Sequence, residues 1–523
     1  MVARPTSVDN AVRAGRNLLR HRRRGVWMRA TKAGSIAAPT HALLVMSLSA
    51  HFRSGARRVV AASLACIVAL VVSGCGGGGG GGGGSNSTPA ATSTTAPTVT
   101  QLANICTLAG EKAWISAYMN DAYLFYRDIV AVDPNAYSTQ ESYFYALLVT
   151  SKDRFSFVES QASADAFFSQ GADVGYGAVF KFDTANNLRI GFVDAAGPLA
   201  AQNVARGAQL VTLNGTAVGT LSTAQLNALL FPTAVGVSLS LGVIDLGQTV
   251  ARTVVVSSAN VVEDPVPLAR VMPSDPNNPA SSKVGYLLFN DHIATSEVEL
   301  INAIQSFKNA GVTDVVLDIR YNGGGFLYIA SELASMLGGS SITPNAVFDK
   351  LTFNDKHPEE TNDPANTVGF PAVSTTGQTL PTLNLSRVFV ITAPGTCSAS
   401  EAVINGLTPF LNVVRIGGTT CGKPYGFIQA NNCGDAFFAI QFQGVNNVGF
   451  GDFTNGFAPT CTVADDFNHA LGDPVEGRLS ASLAYSRNGT CPVTATAARQ
   501  VAEPQPGRDT TLGRPEREMI RLR

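Results

Sequence analysis

Three segments of this chain hold residue types that can do chemistry together. The first is Asp318-Ile319-Arg320-Tyr321-Asn322-Gly323-Gly324-Gly325, the second Thr396-Cys397-Ser398-Ala399-Ser400-Glu401, and the third Cys421-Gly422-Lys423-Pro424-Tyr425-Gly426-Phe427-Ile428-Gln429. Ser398 and Glu401 have the S-x-x-E spacing of a capping box. That spacing predicts Ser398 at the start of a helix, where free amides and the helix dipole favour developing negative charge. Glycines 323–325 let a second backbone N–H come close, because no Cβ blocks the approach. A hydroxyl facing two amide donors can carry out acyl transfer once a base removes its proton. No histidine falls near these segments in sequence, so the candidate base is Lys423. It can serve only if burial holds its amine neutral, and Gly422 and Pro424 on either side fit a stiff, dry turn. Taken singly, Ser398 reads as an ordinary N-cap and Lys423 as a surface lysine; the three segments together carry the reading.

Other residues here have plainer expected roles. Asp318 and Arg320 are expected to be a structural pair that holds the glycine loop. Ser400 is expected in the core or the first helical turn. Cys397 is a rival nucleophile without a histidine to activate it. His292 and the group Asp465, Asp466 and His469 do not make a metal site by this reading, because VADDFNHALGD looks like a capped helix start.

The elements that must position these segments alternate strand and helix. VGYLLFN (284–290) reads as a strand, 297–309 as a helix, VTDVVLDI (312–319) as a buried strand and 327–337 as a helix. RVFVIT (387–392) is a further buried strand, followed by a helix near Ser398. This order predicts an α/β domain with a mostly parallel sheet and its function in loops at the strands' carboxyl ends. Upstream, 113–130 reads as one helix with Trp114, Tyr118 and Ala122 on a stripe, broken by Pro134. A second helix over 139–150 carries Tyr143, Phe144, Leu147 and Leu148. Aromatic residues at this spacing are read as core.

Between these halves, residues 171–260 give short β-type runs and turn signals. The stretch PLAAQNVARGAQLVTLNGTAV is similar to the helix-turn-strand signature of PDZ domains, with Ala208 where an acid is usual. The resemblance implies that Gly175, Tyr176, Gly177 and Ala178 form the loop whose amides receive a peptide's carboxylate, with the next strand pairing to that peptide.

The three chemical segments resemble the carboxyl-terminal processing (tail-specific) serine peptidase family, whose patterns are similar to DLR-N-x-GG, T-A-S-A-S-E and G-x-x-T-x-GKG-x-x-Q. The resemblance implies a Ser-Lys dyad of Ser398 and Lys423 in a multi-domain α+β chain with a crotonase/Clp-protease-like α/β catalytic domain. It also implies an oxyanion hole from Ala399 and Gly324, no cofactor and no metal. The chain departs from the pattern at three places. Phe427 stands where the family has an orienting Gln, leaving Gln429 as a shifted candidate; Cys397 replaces an Ala; and GKG is GKP. The loss of that Gln keeps open a second class, a noncatalytic PDZ-bearing lipoprotein that binds peptides or ligands on a peptidase scaffold.

VVAASLACIVALVV (59–72), preceded by Arg53, Arg57 and Arg58, has the length and flank of a secretory h-region. It runs into Val-Ser-Gly-Cys, similar to a bacterial lipobox, so Cys75 is the expected lipidation site. Nine glycines and a Ser/Thr/Pro/Ala run make a tether. The expected organisation is an upstream extension (1–45), a lipoprotein signal peptide (46–74) and the tether (75–104). A helical domain (105–170), a PDZ-like domain (171–262), the catalytic domain (263–490) and a disordered tail (491–523) follow. Residues 75–523 hold 25 basic and 37 acidic residues, a net charge of −12, which argues against nucleic-acid binding. The expected partners are polypeptides with free C-termini and the membrane, reached through the lipid anchor. The expected location is the cell envelope, on the periplasmic side and at the outer membrane. Six cysteines remain after the signal region for up to three bridges, with Cys421–Cys433 the preferred pair across a hairpin.

Overall fold

The first long helix begins where the Thr107 side chain accepts the Gly110 N–H, and α1 (Leu108–Ala122) follows. The computed structural model describes residues 96–492 and 520–521. The upstream extension, the signal segment and Cys75 therefore lie outside the described residues. The helix expected over 113–130 stops at Ala122, because Tyr123 turns extended and Leu124 N–H donates to Ile440 O at 2.7 Å. A tertiary strand-like contact thus overrides local helix preference. Helices α2 (Gln140–Ala146) and α3 (Gln161–Gln170) complete this part. Trp114, Tyr118, Tyr143, Phe144 and Phe157 share one core with Cys397, Phe427 and Phe437. The N-terminal helices therefore pack on the segments that carry the chemistry.

Next comes an antiparallel sheet whose main path runs β1 (Ala178–Phe182), β2 (Leu188–Val193), β3 (Gln209–Leu213), β4 (Ser238–Ile244) and β5 (Arg252–Ser257). Alternating inward residues such as Leu239, Leu241 and Val243 line its core, and α4 (Thr223–Leu230) covers it with Leu226 and Leu230. A complete capping box at Ser222 and Gln225 starts that helix.

The C-terminal half is built on a six-stranded sheet in the order β6 (Leu268–Pro273), β7 (Lys283–Leu288), β8 (Asp314–Asp318), β9 (Arg387–Thr392), β10 (Asn412–Gly417) and β11 (Cys461–Thr462). Only the β6–β7 pair is antiparallel. Helices α5 (Ser296–Ala310), α6 (Leu327–Gly338) and α7 (Ala399–Leu407) cover one face with Leu300, Leu333 and Val403. Helix α8 (Gly477–Asn488) covers the other with Leu479 and Leu483. Burial on both faces explains why β8 and β9 read as continuous apolar runs rather than alternating ones. The turns after β8 and β9 lie side by side at the carboxyl end of adjacent parallel strands, where α/β sheets place their sites.

Two expectations fail here. The stretch Val463–Asp473 is a loop rather than a helix start; α8 begins later, capped by Glu476, whose side chain accepts the Leu479 N–H. The cysteines pair as Cys106–Cys433, Cys397–Cys421 and Cys461–Cys491, not as Cys421–Cys433. Cys433 does sit in the turn of the expected hairpin (Ala430–Asn432 with Asp435–Phe438), but that turn packs on the N-terminal segment. In the tail, Cys491 is held by its disulfide, and Ile520–Arg521 forms a short parallel strand beside Gly325–Phe326.

Candidate active site

Ser398 is the N-cap of α7 with φ 61° and ψ −116°. A side-chain-bearing residue in that region costs about 1–3 kcal/mol, and such outliers cluster at functional sites. Its Oγ is buried and has no hydrogen-bond partner, while its N–H donates to Glu401 Oε2 at 3.0 Å. The carboxylate half of the expected capping box is therefore formed, and the serine hydroxyl is left uncommitted.

Glu401 does more than cap. Oε2 also accepts the Lys423 N–H at 2.8 Å, and Oε1 accepts the Gly422 N–H at 2.8 Å and the Thr420 hydroxyl. Four donors fill the four acceptor positions of an ionised carboxylate, leaving no place for a proton. Burial pushes this carboxyl up, and the donors oppose that shift. One buried anion thus joins the turn bearing Ser398 to the turn bearing Lys423. The Cys397–Cys421 disulfide ties the same two turns covalently.

Lys423 is fully buried, and its Nζ lies 4.1 Å from the Phe427 ring centroid and 5.0 Å from that of Phe155. Phe427, the departure from the family pattern, forms one aromatic wall of the lysine's cage and packs in turn on Phe157 and Phe438. Gln429 does not take up the missing glutamine's place. Its Nε2 donates to Asp165 and Asn431, and its Oε1 has no hydrogen-bond partner, so it makes no hydrogen bond to Lys423. Gln429 lies in the loop between Gly426 and Ala430, where its amide reaches Asp165 of α3 instead of the lysine.

The glycine turn lies beside Ser398. Asn322 O accepts the Cys397 N–H and the Ser400 hydroxyl, each at 3.2 Å. Gly324 and Gly325 have φ of 113° and 129°, conformations open to glycine. The Gly324 N–H, expected as an oxyanion donor, is already committed to Asn322 Oδ1 at 2.9 Å. The Ala399 and Gly323 N–H groups make no hydrogen bond among the described residues. Ser400 lies in the first turn of α7.

Beneath the turn, Arg320 is wholly buried and grips Asp318 through Nε at 2.9 Å and Nη2 at 2.8 Å. Its Nη1 reaches Asp465 and Glu476, each at 2.7 Å. Asp465 also binds Arg206, which stands between β2 and β3 of the smaller sheet. The guanidinium groups hold the Asp465 carboxyl far below the usual range. These acids anchor a loop through the Arg206 and Arg320 guanidinium groups.

Gly175, Tyr176, Gly177 and Ala178 line a cavity of about 140 Å³ together with Asn290, Asp291, Tyr321 and Gly323. The loop is packed tightly: Gly177 has φ 70°, and a Cβ there would lie 2.6 Å from Gly197 Cα. The cavity also presents Asp173, Asp194, Glu263 and Lys181, so its lining is charged as well as apolar.

Sequence reading missed three residues: Glu401 as a bridge to the lysine turn, Asn322 as the turn's internal acceptor, and His292. Distance in sequence hid Glu401 and His292, whose partners lie on another turn, whereas the Asn322 contact to Gly324 is local and depends on the turn's conformation.

No curated protein matches the chain. A solved S41 protease from Bacteroides fragilis is similar at 25% identity and a TM-score of 0.55, covering 72% of this chain and 97% of that one. The photosystem II D1 C-terminal processing protease aligns at 18% identity and a TM-score of 0.43, covering 67% of this chain and 91% of its own. Residues 110–157 match the model of the peptidase S41 N-terminal domain, and residues 283–438 match that of peptidase family S41. The second match contains the glycine turn, Ser398 and Lys423, and with both models met the chain carries the domains of peptidase family S41.

Proposed function

We propose that the chain is a serine endopeptidase with a Ser-Lys dyad that cuts proteins near their C-termini. Ser398 Oγ attacks the scissile carbonyl carbon while Lys423 Nζ takes its proton. The Ala399 N–H and the free glycine-turn donor, Gly323 rather than Gly324, stabilise the oxyanion. Lys423 then returns the proton to the leaving amine, and water resolves the acyl-enzyme by the same route. The observation that carries this reading is the strained, buried Ser398 with an uncommitted hydroxyl, sharing one carboxylate with the turn of a buried lysine.

On this reading the smaller sheet is a PDZ-like module, and the loop Gly175–Ala178 receives the substrate's terminal carboxylate. The cavity that joins this loop to Gly323 supports that route. Cys75 carries a lipid anchor that holds the protein to the cell envelope, on the periplasmic side of the outer membrane. Three disulfides support an oxidising compartment.

Ser398→Ala and Lys423→Ala should each abolish cleavage of an unstructured protein while leaving the circular dichroism spectrum unchanged. Retained activity in either variant refutes the dyad. The second reading, a noncatalytic peptide-binding lipoprotein, draws on Gln429 being held by Asp165 and Asn431 instead of standing in for the family's orienting Gln. A fluorophosphonate probe separates the two, because only an activated serine is labelled.

A further inference from the structure

His292 plays no part in the mechanism above, yet it is wholly buried at the heart of the glycine turn. Its backbone brackets that turn on both sides: His292 N–H donates to Gly324 O at 2.9 Å, and Phe326 N–H donates to His292 O at 2.7 Å. The approach is so close that a Cβ on Gly325 would lie 2.3 Å from His292 O. The side chain makes a third contact, with Nδ1 3.0 Å from Asn322 Oδ1.

The neighbouring hydrogen bonds fix the tautomer. Asn322 Nδ2 donates to Phe289 O at 3.0 Å, and Asn322 Oδ1 accepts the Gly324 N–H. Oδ1 is therefore the acceptor, and His292 Nδ1 must carry a proton. Burial lowers the imidazole pKa to about 4, so the ring is neutral and its single proton is spent on Asn322. Nε2 is left as a bare, buried acceptor with no hydrogen-bond partner.

That bare nitrogen argues against a purely structural role. An unsatisfied buried acceptor is costly, and an apolar side chain packed on Phe289 would avoid the cost. What an apolar side chain cannot do is donate to Asn322 Oδ1, and Asn322 is the residue whose carbonyl holds the Cys397 N–H and whose amide holds Gly324.

We propose that His292 is a positioning residue: through Asn322 it fixes the glycine turn so that the Gly323 N–H faces the space beside Ser398. The inference rests on the peptidase reading for its kinetic consequence, but not for its structural one. An asparagine amide can stand in for the Nδ1–H donor, whereas leucine cannot.

The test compares His292→Leu with His292→Asn. In His292→Leu, kcat should fall at least tenfold with KM changed less than twofold, because the turn acts on the transition state. His292→Asn should recover most of that loss. Hydrogen exchange at the Gly324 amide, read by mass spectrometry, should speed up at least tenfold in His292→Leu and much less in His292→Asn. Exchange does not need an active enzyme, so it remains decisive if no peptidase activity is found. Thermal unfolding of His292→Leu should match or exceed that of the parent, separating the effect from misfolding. Unchanged exchange at Gly324 in His292→Leu would overturn the proposal. So would an equal loss in both variants, because a purely steric role for the imidazole would then explain the data.

Discussion

Cys397 and Cys421 are joined by a disulfide that bridges the residue before Ser398 and the residue two before Lys423. The bond closes a loop of moderate length, but its position matters more than its loop entropy. It runs alongside the Glu401 carboxylate, which holds the Ser398 and Lys423 amides together. Cys397 is wholly buried and Cys421 half-buried, with its Sγ 3.3 Å from Glu401 Oε2. Reduction by a dithiol should therefore lower kcat by roughly tenfold to a hundredfold, the size expected for a shift of about 1 Å between reacting groups. The Cys397→Ala/Cys421→Ala double variant should show the same loss and no further response to the dithiol. Activity of the double variant equal to that of the parent would show that Glu401 alone sets the geometry.

Ser398 holds a strained backbone conformation at the start of α7. Its φ of 61° is costly with a side chain present, and its buried Oγ lacks a partner. Ser398→Ala removes the orphaned hydroxyl, and Ser398→Gly removes the backbone penalty too. Both should raise the denaturation midpoint, Ser398→Gly by an amount equivalent to about 1–3 kcal/mol of unfolding free energy, while both abolish turnover. Chemical denaturation of the three proteins side by side measures this directly.

The catalytic half was legible where chemistry and periodicity coincide. β9 was read to the residue as 387–392, because a central parallel strand is an uninterrupted apolar run. The helix after Ser398 was legible from the S-x-x-E spacing. What stayed hidden was set by contacts between turns. Nothing local in the sequence says that Asn322 Oδ1 takes the Gly324 N–H, that Cys421 meets Cys397 rather than Cys433, or that Tyr123 leaves its helix to pair with Ile440. Gln429 shows the same limit: counting residues along a strand did not reveal that α3 supplies Asp165 to hold it.

Arg320 should be among the least replaceable residues in the chain. It is a fully buried cation that meets Asp318, Asp465 and Glu476. Arg320→Met leaves those carboxylates facing one another with too little positive charge. Removing one partner of such a buried set costs about 3–5 kcal/mol. The expected result is a sharp fall in melting temperature, with loss of activity following from disorder of the glycine turn. A melting temperature within a few degrees of the parent would mean that Arg206 and Arg478 suffice.

Asp349 gives the pH dependence its sign. It lies in the strand Val347–Phe353, fully buried, and burial raises its carboxyl from the ordinary range to about 8. A raised acid pKa means that the folded chain holds a proton that the unfolded chain has already lost. Between about pH 4 and pH 8 the folded state therefore binds more protons, and stability falls as pH rises through that window. Asp349→Asn removes the ionisable group while keeping its shape. The variant should melt at nearly the parent's temperature at pH 4 and clearly above it at pH 8. A pair of melting curves at the two values decides the matter, since an equal offset at both would assign the effect to packing rather than to the proton.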